Sequence, residues 1–206
     1  MTTIFLVRHG ETEHNRAGQG LGRSDVGLTE VGMAQAEAVA RRLATEPIER
    51  ILASPLDRAG QVARAIAVHH GPDPETVEAL IELDVGHTEG LEIAETRRRY
   101  PEFMDVWATD EGHTVRMPGG ESLEDLALRL RPLAVQLVEV SEGDLVVVSH
   151  NFALRALLCE LLGLGLHRWR AFQLDLASVS SLTVRNGRVS VRSLNDTCHL
   201  TNLNLA

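Results

Sequence analysis

The sequence predicts an α/β protein, a three-layer α/β/α sandwich with a mostly parallel central sheet, an antiparallel edge and a small cap region. Three observations carry this prediction. Short apolar runs at residues 4–7, 50–53 and 144–148 alternate with stretches of helical periodicity, the pattern of strand-helix units that build a parallel sheet covered on both faces. Asn186-Gly187 sits between two strand-like segments, a hairpin signal that adds antiparallel strands. No repeat, low-complexity segment or linker divides residues 1–206, so a single domain is expected, with residues 75–120 forming a cap within it.

Taken in order, Ile4-Phe5-Leu6-Val7 is bounded by polar residues and reads as a buried strand that delivers Arg8-His9-Gly10. A glycine-rich loop follows through Gly18, Gly20, Gly22 and Gly27. Thr29 is an N-cap for a helix to about Ala44, with Val31, Ala38, Val39 and Leu43 at approximate helical spacing. The second strand, residues 50–53, stops at Ser54-Pro55, and a helix over residues 57–69 ends at Gly71-Pro72-Asp73-Pro74. Residues 75–120 lose periodicity and carry Glu89-Gly90, Arg97-Arg98-Arg99 and Tyr100-Pro101, so loops and short helices are expected. Ser122 and Asp125 have capping-box spacing at the start of a helix reaching about Val140. A strand at 144–148, a helix at 151–162 and strands at 180–184 and 189–193 complete the chain.

Composition narrows the function. A net charge of −9 and an aromatic content of 3% oppose both counterion release from nucleic acid and base stacking, so no nucleic-acid partner is expected. All 20 basic residues counted as Lys or Arg are arginine. Without lysine the chain cannot be a Walker-type nucleotidase, a pyridoxal-phosphate enzyme or a protein kinase. Cys159 and Cys198 have neither disulfide-framework nor zinc-ligand spacing. The N-terminal apolar run is too short for a signal-peptide core or a membrane span, so a cytoplasmic setting without membrane contact is expected. His69, His70, His113 and His167 form no ligand pattern and read as structural, so neither metal nor cofactor is expected.

In open α/β sheets ligands bind beyond the carboxyl ends of the strands. Here three strands end in Arg8-His9-Gly10-Glu11-Thr12, Ser54-Pro55-Leu56-Asp57-Arg58 and Ser149-His150-Asn151. Arginine offers a planar fork of donors matched to phosphate oxygens, and a partly neutral histidine is a nucleophile toward phosphorus. Gly10 would let the backbone approach a ligand closely. Singly, His150 reads as a strand-end histidine, Arg58 as a solvated helix residue and Glu82 as a surface carboxylate. Their joint placement favours an anion site.

LVRHGETEHN at positions 6–15 resembles the signature of the histidine phosphatase superfamily, in its phosphoglycerate mutase-like branch. SPLDRAGQVA from Ser54, LIELDVGHTEG from Leu80, PGGES from Pro118, VVVSHN from Val146 and LNDTCHL from Leu194 extend the likeness over nearly the whole chain. The resemblance implies that His9 is the phosphorylated nucleophile, that Arg8, Arg58 and His150 bind the transferring phosphoryl group, and that Glu82 donates the proton. It also marks Asn15, Gly22 and Asn151 as substrate contacts and makes a homodimer a family-level expectation. His14, Ile81, His87-Thr88 and Asn151 depart from the residues common in the family, Trp, Arg, Asp-Trp and Gly. His87 could therefore recognise a substrate carboxylate, or be a surface or structural histidine. His199 matches the C-terminal block and is expected near the site.

The expected activity is hydrolysis of a small anionic phosphomonoester through phospho-His9, without metal. A mutase, returning the phosphoryl group to another hydroxyl of the bound acid, is the alternative, and the compact segment at 90–118 disfavours it. A non-catalytic phosphate sensor is the third reading, opposed by the presence of both nucleophile and acid.

Overall fold

The computed structural model describes residues 1–139, 143–201 and 203. Its central sheet has six strands: β1 (Thr2–Arg8), β2 (Ile48–Ala53), β3 (Glu75–Thr76), β4 (Asp144–Ser149), β5 (Val179–Arg185) and β6 (Arg188–Asp196). The strand order is β3-β2-β4-β1-β5-β6. The first four run parallel, while β5 and β6 pair antiparallel at one side. The hairpin between β5 and β6 turns on Asn186 and Gly187, at φ 51° and 71°. Both have the positive φ that a two-residue type I′ turn demands.

The helices are α1 (Glu13–Arg16), α2 (Glu30–Leu43), α3 (Asp57–His70), α4 (Ile93–Arg99), α5 (Pro101–Trp107), α6 (Leu123–Glu139) and α7 (Asn151–Leu162). Strand alternation assigns them to two faces. Phe5 and Val7 of β1 pack with α2 and α3, whereas Ile4 and Leu6 pack with α6 and α7. Caps fall at the expected residues: the Thr29 side chain accepts from the Gly32 N–H, and Ser122 and Asp125 exchange bonds of 2.9 and 3.1 Å. The expected end of α6 at Val140 lies outside the described residues.

Two elements inside expected loops were not foreseen. The short α1 closes on itself because Thr12 and Asn15 form a capping box. The two-residue β3 has no hydrophobic pattern, and only its pairing with Leu52 and Ala53 makes it a strand. Among the described residues no helix is long and apolar enough to cross a membrane.

Gly10 corrects one expectation. A Cβ at Gly10 would lie 2.7 Å from the Gly32 carbonyl oxygen and 3.1 Å from Gln35 Oε1, so this glycine admits α2 rather than a ligand. Gly10→Ala is expected to destabilise the fold by about 1–3 kcal/mol through overpacking. Urea denaturation measures this, and a cost near zero would show that α2 yields.

Candidate active site

Parallel pairing sets Arg8 opposite Ser149 and Ala53 opposite Val148. The ladder continues past the strand ends, with the His9 N–H donating to the Ser149 carbonyl and the Ser54 N–H to the Val148 carbonyl, both at 3.0 Å. His9, Ser54 and His150 thus meet at the carboxyl edge of the sheet. The two imidazole rings lie with centroids 5.1 Å apart. Arg58, in the first turn of α3, comes to the same place and is fully buried.

His9 is buried, with Nδ1 2.7 Å from the Gly10 carbonyl oxygen. A carbonyl only accepts, so Nδ1 carries the proton and Nε2 presents its lone pair. Burial, reinforced by the charges of Arg8 and Arg58, pushes the His9 pKa well below the usual imidazole value. The ring is therefore neutral and nucleophilic at neutral pH.

Arg8 Nη1 donates to the Leu174 carbonyl at 2.7 Å, and the two Nη atoms of Arg58 donate to Ser24 and Gly22 carbonyls at 2.8 and 2.7 Å. These bonds aim the guanidinium groups, yet Nε of Arg8, Nε of Arg58 and Nδ1 of His150 are buried without a partner among the described residues. Buried polar groups are nearly always satisfied, so three unpartnered nitrogens around a neutral histidine describe a site for an oxyanion. Burial lowers the Arg8 pKa to about 10 and lowers that of Arg58 as well, leaving Arg8 charged at neutral pH.

His150 Nε2 lies 2.7 Å from Ser54 Oγ, which also accepts from the Leu56 N–H at 3.3 Å. The hydroxyl proton can donate to Nε2, and in that arrangement the proton of a neutral His150 sits on Nδ1 as a donor. Burial holds the His150 pKa well below normal, and the nearby His9, Arg58 and Arg8 act in the same direction.

Glu82 is buried beside this cluster, in a segment pinned by the buried Leu80 and Leu83. Its Oε1 accepts from the Leu83 and Ala153 N–H groups at 2.8 and 3.0 Å, and Oε2 accepts from the Phe152 N–H at 3.0 Å. The carboxylate therefore sits at the N-terminus of α7. Burial raises its pKa, and the three N–H bonds and the Arg58 charge oppose that rise without cancelling it. The single bond to Oε2 leaves that oxygen open for a proton. Behind it, the Glu82 carbonyl accepts from Arg129 Nη2 at 3.0 Å and Arg23 Nε at 3.4 Å. Glu121, from PGGES, joins the two arginines, 2.6 Å from Arg23 and 3.4 Å from Arg129, and accepts from the Asp84 N–H at 3.1 Å.

The remaining candidates occupy varied places. Asn15 Oδ1 receives the Thr12 N–H and hydroxyl at 3.1 and 2.9 Å, serving the cap of α1. Gly22 commits its N–H to Glu89 Oε1 at 2.9 Å and its carbonyl to Arg58, so its backbone orients that arginine. Asn151 opens α7 with Oδ1 buried and unpartnered. His87 is exposed with its ring against Gly119. His199 Nε2 lies 2.9 Å from the Ala177 carbonyl, and the Ala177 N–H donates to the His9 carbonyl at 3.0 Å, so His199 stands one peptide behind the cluster.

Ser54 and Arg155 were not singled out in the sequence. The signal for Ser54 was its position directly after a strand, and for Arg155 its four-residue spacing from Asn151 on one helix. A cavity of about 240 Å3 has walls that include Leu21, Val85, Phe103, Trp107, Met117 and Phe152, the last of which donates its N–H to Glu82. Among the described residues no group of three or more His, Cys, Asp or Glu side chains is arranged to hold a metal ion.

Two buried neutral histidines bear on stability. Their folded pKa values lie below the unfolded one, so below about pH 6.5 the unfolded chain binds more protons and stability falls with falling pH. The urea midpoint is expected to drop between about pH 7.5 and 5.5. A flat profile would mean that both rings bind protons in the fold as they do in the unfolded chain.

Comparison with known proteins places this geometry in a family. The chain is 35% identical to phosphoserine phosphatase 1 of Hydrogenobacter thermophilus over 201 residues, covering 97% of this chain and 95% of that one. It is 36% identical over 209 residues to a probable phosphoglycerate mutase of Yersinia enterocolitica, again covering 97% and 95%. The structure of a mycobacterial glucosyl-3-phosphoglycerate phosphatase in complex with VO3 superposes with a TM-score of 0.87 at 29% identity, over 96% of this chain and all (100%) of that one. Residues 4–197 match the histidine phosphatase superfamily (branch 1), and the chain belongs to that family.

Proposed function

We propose that this protein is a phosphomonoesterase that hydrolyses a small phosphorylated metabolite through phospho-His9. The observation that carries the reading is the neutral His9 ring, its Nε2 lone pair free, beside the unpartnered donors of Arg8, Arg58 and His150. Nε2 attacks phosphorus as the bond to the ester oxygen breaks, and Glu82 passes its proton to the departing alkoxide. The guanidinium groups and the His150 Nδ1–H donate to the equatorial oxygens, where charge must be stabilised. Ionised Glu82 then takes a proton from water as that water attacks phospho-His9, which releases inorganic phosphate and restores the ring.

The relatives named as phosphatases support hydrolysis, and the compact segment at 90–118 supports it over return of the phosphoryl group to a second hydroxyl. Residues 75–120 are read as a cap within one domain. This region supplies Glu82 and is joined to the body by paired backbone bonds between Gly20 and residues Gly90 and Leu91, at 2.8 and 2.9 Å. Two free thiols, Cys159 and Cys198, support a reducing, cytoplasmic setting.

Labelled substrate quenched in alkali should leave label on His9, because phosphohistidine survives base, and His9→Asn should abolish both label and turnover. Turnover without label at His9 would remove the covalent mechanism.

Glu82→Gln should slow His9 phosphorylation by an alkyl phosphate about 10²- to 10⁴-fold, yet slow it little with p-nitrophenyl phosphate, whose leaving group needs no proton. The wild-type rate with alkyl phosphates should also fall on the alkaline side as Glu82 loses its raised-pKa proton. Equal losses with both substrates would transfer the acid role to another group.

A further inference from the structure

Beside the phosphoryl cluster stands an arginine that the mechanism does not use. Arg155 lies on α7, one turn after Asn151 and on the same face. Among the described residues it has no salt-bridge partner within 4.0 Å, and its Nε is buried without a hydrogen-bond partner. Most of the arginines around it are tied to carbonyl or carboxylate oxygens, as Arg8, Arg58, Arg129 and Arg170 are. Its guanidinium carbon sits 5.6 Å from the ring centroid of the buried Trp169, so an aromatic face covers one side of the fork. Phe152, three residues earlier on α7, packs 5.6 Å from the same Trp169 and donates its N–H to Glu82 Oε2 at 3.0 Å. Arg155 is close enough to Arg8, Glu82 and Asp175 for its charge to interact with all three.

A half-buried guanidinium whose buried Nε finds no partner among the described residues is costly unless an anion meets it. The phosphoryl group is already matched by Arg8, Arg58 and His150, so the anion belongs to another part of the substrate. Asp175, held by Asn195 and Gln173 at 2.7 and 3.1 Å, offsets part of the positive charge, which suits a monoanion better than a second phosphate. A planar carboxylate fits the guanidinium fork in two parallel bonds. The unpartnered Oδ1 of Asn151, one turn away, is an acceptor for a hydroxyl or ammonium on the adjacent carbon.

We propose that Arg155 binds a carboxylate on the leaving group, so that the substrate is a phosphorylated hydroxy acid or hydroxy amino acid rather than a phosphorylated sugar, amine or nucleotide. The proposal rests on the phosphatase reading above and names the substrate class of that same site.

The test compares ligands that differ in the carboxylate: O-phosphoserine with O-phosphoethanolamine, and 3-phosphoglycerate with glycerol 3-phosphate. Binding is measured by calorimetry on the full chain carrying His9→Asn, which stops turnover and keeps a donor toward the Gly10 carbonyl. The carboxylate-bearing member of each pair should bind about 10- to 100-fold more tightly, the range of one charge-assisted contact. Adding Arg155→Met, which keeps the contact with Trp169, should bring each ratio close to one, and Arg155→Lys should restore part of it. A ratio near one without any change at Arg155 overturns the proposal, as does a ratio that survives Arg155→Met or tighter binding of a sugar bisphosphate. Turnover of p-nitrophenyl phosphate by the wild type tests the phosphatase reading separately, because that substrate has no carboxylate and the binding ratios need no turnover.

Discussion

The parallel pairing of β1 with β4, Arg8 against Ser149, is the constraint on which the site depends. It carries His9 and His150 to one edge and brings their rings to 5.1 Å, while the pairing of β2 with β4 sets Ser54 against His150. Because side chains alternate along a strand, a slip of one residue would exchange Phe5 and Val7 for Ile4 and Leu6 on the face of α2 and α3. Both helical layers would then lose their fit. The apolar packing that stabilises the sandwich therefore also sets the chemistry, and the site geometry is as rigid as the core beneath it.

Electrostatics works against the fold at this edge. An acidic chain of net charge −9 gathers Arg8, Arg58 and Arg155 around two neutral histidines. Burial depresses the pKa of every one of these groups and raises that of Glu82. Such an arrangement trades stability for a preformed oxyanion site, a common feature of functional sites. Carbonyl oxygens of Leu174, Gly22 and Ser24 hold the guanidinium groups in place without neutralising them, which keeps their charge available to a ligand.

A second joint links Glu82 to the cluster at the sheet edge. The N-terminus of α7 receives the Glu82 carboxylate through Phe152 and Ala153, while Arg23, Glu121 and Arg129 hold the backbone of the same segment. Aromatic side chains reinforce this joint: Phe103 and Trp107 of α5 pack with Phe152 of α7 and with Trp169. Four of the seven aromatic residues in the chain, which has four Phe, two Trp and one Tyr, thus concentrate where the region bearing Glu82 meets the body.

By itself the sequence determined the strand-helix alternation, the caps at Thr29 and Ser122, the Asn186-Gly187 hairpin and the gathering of Arg8, His9, Arg58 and His150 at strand and helix ends. Each of these is a local signal, a periodicity or a turn residue, readable without knowing what lies opposite. What only the tertiary structure decided depends on partners distant in the chain. Glu82 is 70 residues from the helix terminus that holds it, judged by its bond to Phe152. Ser54 is 96 residues from the histidine it hydrogen-bonds. The use of Gly10 follows from Gly32, the existence of β3 from β2, and the unpartnered Nε of Arg155 among the described residues from the arrangement around α7. Hydrogen bonding and desolvation act between groups that meet only after packing, so the roles they assign have no periodicity for a sequence to display.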